Sequence, residues 1–461
     1  MATIPDFVES GEPARLIPVT ADTNKEQRAV SIVLAAMRGI YEFRQAMLGS
    51  LGVRVGNRAK LGAWTEVTFK EDRSGKSEKK KKDRPDGLIV LDTGRKQWTA
   101  LIEAKVGNAE IDEDQLQAYI QQARNYKVDA VITISNQFVA QPSHHPVKLP
   151  KNQTRNVELY HWSWMYLLTQ ATLLVEGEEI DSPDQHFLLE EITRYLGHDS
   201  SGISRFDSMN REWKEIVAKV KNGANLKKTS EEVENTVSSW HQEQRDLSLI
   251  LTRKLGQPVK LRLSRAHRID PQERLRSDCE LLASHHVLRC ELDIPHAAAE
   301  LCVEANLAKR VIVSSMRLTA PRDKKKTSAR INWLRRQLEG TATDGFFVKA
   351  IRPGKAESTQ APLSDVLEDP HHLESDNTDV VPTAFEVLYI TDQASRFSGN
   401  KVFIEELERA VPYFYEQAGQ RLRAWTPQPP KLKSDPVQAS SDANAEAEPA
   451  EPDLKDSEED T

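Results

Sequence analysis

The chain has 461 residues, room for two or three domains, with 63 Lys and Arg against 70 Asp and Glu and a formal charge of −7. No apolar run approaches the roughly 18 residues of a membrane-spanning helix, and Met1–Leu16 lacks the basic start and apolar centre of a secretory signal. Three cysteines, Cys279, Cys290 and Cys302, are an odd count that argues against a disulfide framework and for reduced thiols in a cytoplasmic protein. Their interleaving with His285, His286 and His296 does not have zinc-ligand spacing.

In chain order, Thr23-Asn24-Lys25-Glu26 reads as a capping box. Val30, Val33, Leu34, Met37, Tyr41 and Leu48 then recur at helical spacing, so a first helix is expected over 24–49. Alternation over 64–70 predicts a strand with Glu66, Thr68 and Lys70 on one face. Apolar runs predict strands over 86–92 and 97–105, joined by a turn near Gly94. A helix over 112–126, strands over 128–135 and 157–162, and a helix reaching 175 follow. Ser182-Pro183 and Gly197 bracket another helix, and one more is expected over 208–221.

A domain boundary is expected near 222–230, giving a first domain over 1–222 and a second over 223–430. The second opens with a helix over 231–255. Strands follow over 258–264, 286–294, 299–307 and 310–318, the last two turning near Ala308-Lys309. A helix over 328–339, strands over 345–352 and 383–390, and a helix over 401–422 complete an α+β pattern, with 353–382 read as a loop. Residues 431–461 carry ten Asp and Glu against three Lys, while 1–430 balance at 60 and 60. That Ala/Glu/Pro/Ser/Asp-rich stretch is expected to be a disordered acidic tail.

Two charged groups stand out at the ends of apolar strands. Asp86 opens Gly87-Leu88-Ile89-Val90-Leu91, and Glu103-Ala104-Lys105 closes Trp98-Thr99-Ala100-Leu101-Ile102. Charge at the edge of a core strand costs free energy unless something pairs it. An antiparallel hairpin brings the start of one strand beside the end of the other, so Asp86 and Glu103 are expected to be neighbours. Glu103 and Lys105, at i and i+2, share a face. Mg²⁺, with Mn²⁺ as an alternative, takes few protein carboxylates and leaves water and phosphate to complete its shell. Asp86 and Glu103 would hold it, with the Ala104 carbonyl and Glu66 as further ligands. Lys105 would orient a water and stabilise charge developing on phosphorus. Glu42, on the first helix, is a weaker acidic candidate. The competing reading is a turn aspartate and an exposed cross-strand charge pair.

Arg84-Pro85-Asp86-Gly87 followed by Glu103-Ala104-Lys105 resembles the signature of the PD-(D/E)xK nuclease superfamily, which includes restriction enzymes and repair nucleases. The next helix adds to it. After Asp112-Glu113-Asp114 comes Gln115-Leu116-Gln117-Ala118-Tyr119, with Gln115 and Tyr119 at i and i+4, similar to a Gln-apolar-x-x-Tyr motif whose residues line the site in one branch of that superfamily. The resemblance covers roughly 20–175. It implies a restriction-endonuclease-like α/β core in the order α-β-β-β-α-β, a Mg²⁺-dependent nuclease acting on DNA, and accessory roles for Gln115 and Tyr119.

Lys79, Lys80, Lys81, Lys82 and Arg84, just before Asp86, are candidate phosphate contacts. A second basic group, Arg322, Lys324, Lys325, Lys326, Arg330, Arg335 and Arg336, decorates the helix expected at 328–339, as a nucleic-acid-tracking face or a solvated one. No Gly-x-x-x-x-Gly-Lys-Ser/Thr motor motif occurs. The expectation is a cytoplasmic metal-dependent deoxyribonuclease, in defence or repair by analogy. The alternative is a catalytically silent DNA-binding or scaffold protein on the same fold.

Overall fold

Leu88–Leu91 and Ala100–Ile102 are apolar at every position, so the strands they form are buried on both faces. The computed structural model describes residues 3–18, 24–70, 84–150, 152–376 and 380–427. Lys79, Lys80, Lys81 and Lys82 and the acidic segment 431–461 lie outside the described residues. Through Trp425 the chain forms one compact unit of mixed α/β architecture on two sheets.

The elements of the first half are β1 Val8–Pro13, α1 Lys25–Gly39, α2 Tyr41–Gly49, β2 Lys60–Phe69, β3 Gly87–Asp92, β4 Gln97–Ala104, α3 Glu113–Tyr126, β5 Ala130–Ser135, β6 Glu158–Ser163, α4 Trp164–Glu176 and α5 Pro183–Leu196. Its sheet runs β1-β2-β3-β4-β5-β6, antiparallel through β4 and parallel from β4 to β6. Leu88, Val90, Leu101 and Val131 face α3, packing on Leu116, Tyr119, Ile120 and Ala123. Ile89, Leu91, Ala100, Ile102 and Ile132 face α1, α2 and α4 on the other side.

The helix expected over 24–49 is two helices. Gly39 weakens the helix, and buried Ile40 turns extended (φ −115°, ψ 114°) to point its side chain into the core. Strand β1, which carries little apolar signal, pairs with β2 around an irregularity in register. Glu66, in the left-handed region at φ 54°, stands at that irregularity.

Gly87 follows Asp86 for a packing reason. A Cβ there would meet Leu34 Cδ1 of α1 at 2.7 Å and Ile102 Cβ at 3.3 Å. Its bareness lets α1 cross β3 closely, which brings the start of α1 towards Asp86. Gly87→Val should therefore cost about 1–3 kcal/mol of stability through overpacking. Urea unfolding measures it, and an unchanged midpoint would contradict the close approach.

The elements of the second half are α6 Trp213–Lys221, α7 Glu231–Leu255, β7 Lys260–Leu261, α8 Arg265–Ile269, α9 Pro271–His285, β8 Val287–Asp293, β9 Leu301–Asn306, β10 Val311–Thr319, α10 Thr327–Leu338, β11 Phe346–Ile351, β12 Thr359–Pro362, α11 Leu363–Glu368, β13 Ala384–Asp392 and α12 Asn400–Gln417. The second sheet is antiparallel in the order β12-β11-β13-β10-β9-β8-β7. One core, from Met209 to Leu422, unites it with its helices. Helix α6 belongs to this core: Trp213 packs on Phe397 and Phe403 and donates to the Phe397 carbonyl at 3.0 Å. The residues of α6 thus pack with the second core, which begins at Met209.

Two stretches differ from expectation. Only Lys260–Leu261 of 258–264 pairs as a strand, and α9 starts at the Asp270-Pro271 cap, where no element is expected. The stretch 353–382, expected as a loop, holds β12, α11 and a short 3-10 turn. Buried Arg352 organises it by donating to the carbonyls of Glu357, Leu373 and Val380.

Helix α7 is the spine between the sheets. Val233, Val237, Trp240, Leu247 and Leu251 enter the second core and Leu249 the first. Arg245 lies over the Tyr166 ring and Arg253 donates to Thr169, both on α4. Glu243 of α7 is fully buried and neither carboxylate oxygen has a donor. Burial, with the Asp246 and Glu408 charges beside it, holds its pKa well above the ordinary 4.5. A proton held in the folded state and released in the unfolded one makes stability fall as pH rises above about 4.5. Glu243→Gln should therefore stabilise the protein at pH 8 and do nothing at pH 4. Equal effects on the unfolding midpoint at both values would overturn this assignment.

Candidate active site

The β3–β4 hairpin sets the site's register. Its turn is closed by Thr93 donating to the Lys96 carbonyl at 3.1 Å and by Gly94, at φ 77°, donating to Asp92 Oδ1 at 2.7 Å. Gly87 pairs with Ile102, so Asp86 falls beside Glu103. The Ala104 N–H donates to Asp86 Oδ2 at 2.8 Å. Lys105 is fixed through its backbone: its N–H donates to the Ile134 carbonyl at 2.8 Å, and its carbonyl accepts from Trp164 Nε1 at 2.8 Å. Its ammonium lies 2.5 Å from Glu103 Oε1.

Glu103 is 3 % exposed, and its second oxygen, Oε2, has no hydrogen-bond partner at ordinary distance. The Tyr119 hydroxyl is close enough to act on Glu103 through charge and as a hydrogen-bonding neighbour, while its well-formed bonds are to the Arg84 carbonyl, to which it donates at 2.9 Å, and from Gln115 Nε2, from which it accepts at 2.8 Å. Gln115 is positioned in turn by Asp112, the N-cap of α3, which accepts from the Gln115 N–H at 2.8 Å. Asp86, Glu103, Lys105, Gln115 and Tyr119 therefore form one cluster at the sheet end.

The cluster is electrostatically strained. Burial first, and the Glu103 charge second, push the Asp86 carboxyl up to about 8, against the pull of the Ala104 N–H and Lys105. Burial also raises Glu103, with Lys105 opposing. Burial lowers Lys105, but the hydrogen bond and charge of Glu103, then Glu26 and Asp86, outweigh it and leave it raised. Lys105 is thus an ammonium, unsuited to take a proton from water. Burial, followed by the Glu103 charge, raises Tyr119, which stays a neutral phenol.

Glu26, in the first turn of α1, joins this cluster. Its Oε2 is 3.9 Å from the Lys105 ammonium, and its Oε1 accepts from the Val106 N–H at 3.4 Å. Its charge also acts on Asp86 and Glu103. The sequence offers it only as a member of a helix cap, and Asn24 performs that capping, accepting from the Glu26 and Gln27 N–H groups.

Glu66 lies in a different hydrogen bond, accepting from Gln27 Nε2, in a cavity of about 520 Å³ lined also by Ser10, Gly11, Glu12 and Arg84. The carboxylates that raise Asp86 are Glu103 and then Glu26. Glu42, on α2, acts on Arg44. Arg84 is exposed. In α10, Arg330 donates to the Lys324 and Pro382 carbonyls and Arg335 to the Leu367 carbonyl, while Arg322, Lys325, Lys326 and Arg336 are exposed.

Across the same sheet face, Glu103 pairs with Thr133 and Thr133 with His161. The hydrogen bonds fix one tautomer chain: Val147 N–H to His145 Nδ1, His145 Nε2–H to Thr133, Thr133 O–H to His161 Nδ1, and His161 Nε2–H to the Gln137 carbonyl. Burial holds His145 at about 3 and His161 at about 4, so both remain neutral. Every proton in the row is taken up within these hydrogen bonds.

The donor set fits a hard divalent cation: two converging carboxylates with excess proton affinity and one bare buried oxygen. Among the described residues no group of three or more His, Cys, Asp or Glu side chains is arranged to hold a metal. The fit rests on Asp86 and Glu103 with the Ala104 carbonyl and solvent. Among the described residues no helix is long and apolar enough to cross a membrane. The chain matches no protein-family model, no curated protein and no solved structure.

Proposed function

We propose that the chain is a metal-dependent nuclease of the PD-(D/E)xK type that hydrolyses phosphodiester bonds of DNA. The observation that carries this reading is the convergence of Asp86, Glu103 and Lys105 around a bare Glu103 oxygen. Asp86, Glu103 and the Ala104 carbonyl would hold Mg²⁺, or Mn²⁺ in its place. The ion would supply Lewis-acid polarisation of the phosphate and a more acidic bound water.

The chain's own groups divide the remaining work. Lys105 stays charged and stabilises the negative charge that builds on the phosphoryl oxygens as water adds and the ester bond breaks. Gln115 and Tyr119 hold the backbone at Arg84, and the basic run Lys79–Lys82 precedes Arg84 in the sequence. Those lysines and Arg84 would meet the phosphate backbone, as a salt-sensitive contribution to binding. Three free thiols fit a cytoplasmic location. A defence or repair role rests on analogy.

A digestion panel of labelled single- and double-stranded DNA and RNA with Mg²⁺, Mn²⁺ or chelator tests the reading. Metal-dependent cleavage of DNA is expected. Binding of DNA without cleavage under every condition favours the second reading, a silent DNA-binding or scaffold protein. The closed Lys105–Glu103 ion pair is the observation in its favour.

A further inference from the structure

In the metal-free protein the cation on Glu103 is the protein's own. Lys105 Nζ lies 2.5 Å from Glu103 Oε1 and 3.9 Å from Glu26 Oε2. The three side chains grade outwards, with 4 % of the Glu103 side chain exposed, 17 % of Lys105 and 27 % of Glu26. A divalent cation held by Asp86 and Glu103 would compete with that ammonium for the Glu103 carboxylate. Two cations at one carboxylate in a partly buried site repel strongly. Lys105 then has to leave Glu103, and its backbone, held by Ile134 and Trp164, cannot follow. Only the flexible four-carbon stem can move the charge.

We infer that Glu26 is the receiving carboxylate: Lys105 Nζ passes from Glu103 to Glu26 when a metal enters, so Glu26 sets metal affinity as a positioning residue and without ligating the ion. The inference rests on the metal-centre reading above. Glu26 suits the part because its Oε1 accepts from the Val106 N–H, one residue past Lys105, which holds its second oxygen towards the ammonium. The move turns Lys105 outward, to the solvent side where a phosphate must approach.

Mn²⁺ titration of the full-length protein without nucleic acid, by calorimetry and by paramagnetic resonance of the free ion, tests this. The variants are Glu26→Gln, Lys105→Met, both together, and Asp86→Asn. Glu26→Gln is expected to weaken Mn²⁺ binding about tenfold, a coupling of ordinary size for charges in contact. In the Lys105→Met background the same change should have no effect, because there is no ammonium to receive. A loss of equal size in that background makes Glu26 a ligand and overturns the inference, as does an unchanged affinity of Glu26→Gln alone. The two failures separate cleanly: unaltered Mn²⁺ binding by Asp86→Asn, or no binding by the wild type, defeats the metal-centre reading and the exchange with it. Thermal unfolding of each variant identifies any that has lost its fold, and Glu26→Asp, which keeps the charge, should restore part of the affinity.

Discussion

Lys105→Ala should lower cleavage on the order of 100- to 1,000-fold while leaving DNA affinity nearly intact. On the proposed reading Lys105 acts where charge develops during the reaction, so its loss belongs to turnover and not to binding. Its raised pKa keeps it an ammonium and unsuited to the role of base. Neutralising Lys79, Lys80, Lys81 and Lys82 should do the opposite. Binding should weaken and its salt dependence flatten, by a slope of about 0.9 for each phosphate of duplex DNA left without its lysine, with turnover at saturation retained. Filter binding across a salt series and single-turnover kinetics read the two effects separately. Equal salt slopes for wild type and the four-lysine variant would refute the phosphate role of the run. Unchanged cleavage by Lys105→Ala would refute the catalytic one.

Asp86→Asn should make the metal-free protein more stable as it removes activity. The sign follows from the shift. The folded carboxyl sits at about 8 against an ordinary 3.8, so the folded state holds a proton that the unfolded state has released. That contribution is fully present below about 4 and is lost as pH rises through about 8. An asparagine keeps an acceptor for the Ala104 N–H and can donate towards Glu103, without the charge. The gain should be clear at pH 8 and near zero at pH 4. Added Mg²⁺ should stabilise the wild type and leave the variant unmoved. Chemical unfolding at the two pH values, with and without Mg²⁺, measures all four. A variant destabilised equally at pH 4 and pH 8 would show that Asp86 serves the fold and not a cation.

The hairpin that makes the site was legible because its signals are local. Two apolar runs flank Gly94, and charge appears only at their far ends, so antiparallel pairing by itself brings Asp86 to Glu103. Helix α3 was legible from its Asp112 cap and the Gln115–Tyr119 spacing, which a single helix turn fixes. What stayed hidden is tertiary. Glu26 lies 79 positions before Lys105 and reaches it where a bare Gly87 lets α1 pack closely on β3, a condition that no helical pattern announces. Glu66 alternates correctly in the sequence, but the bulge in β2 gives it a left-handed backbone and a bond to Gln27. The order within 353–382 depends on one buried guanidinium, Arg352, gathering carbonyls from three places. Helix α6 looked like an extension of the first domain because it follows it in sequence, yet Trp213 finds its partners nearly 190 positions later, at Phe397 and Phe403.

The central claim is that Asp86 and Glu103 hold a metal that cleaves DNA. Its most direct measurement is the single-turnover cleavage rate of labelled DNA by wild type and Glu103→Gln, each in Mg²⁺ and in chelator. The substitution removes one charge and keeps the shape of a side chain that is 3 % exposed. The account predicts cleavage by the wild type in Mg²⁺ alone, with Glu103→Gln slower by at least about 100-fold. Cleavage by Glu103→Gln at the wild-type rate, or by either protein in chelator, would contradict it.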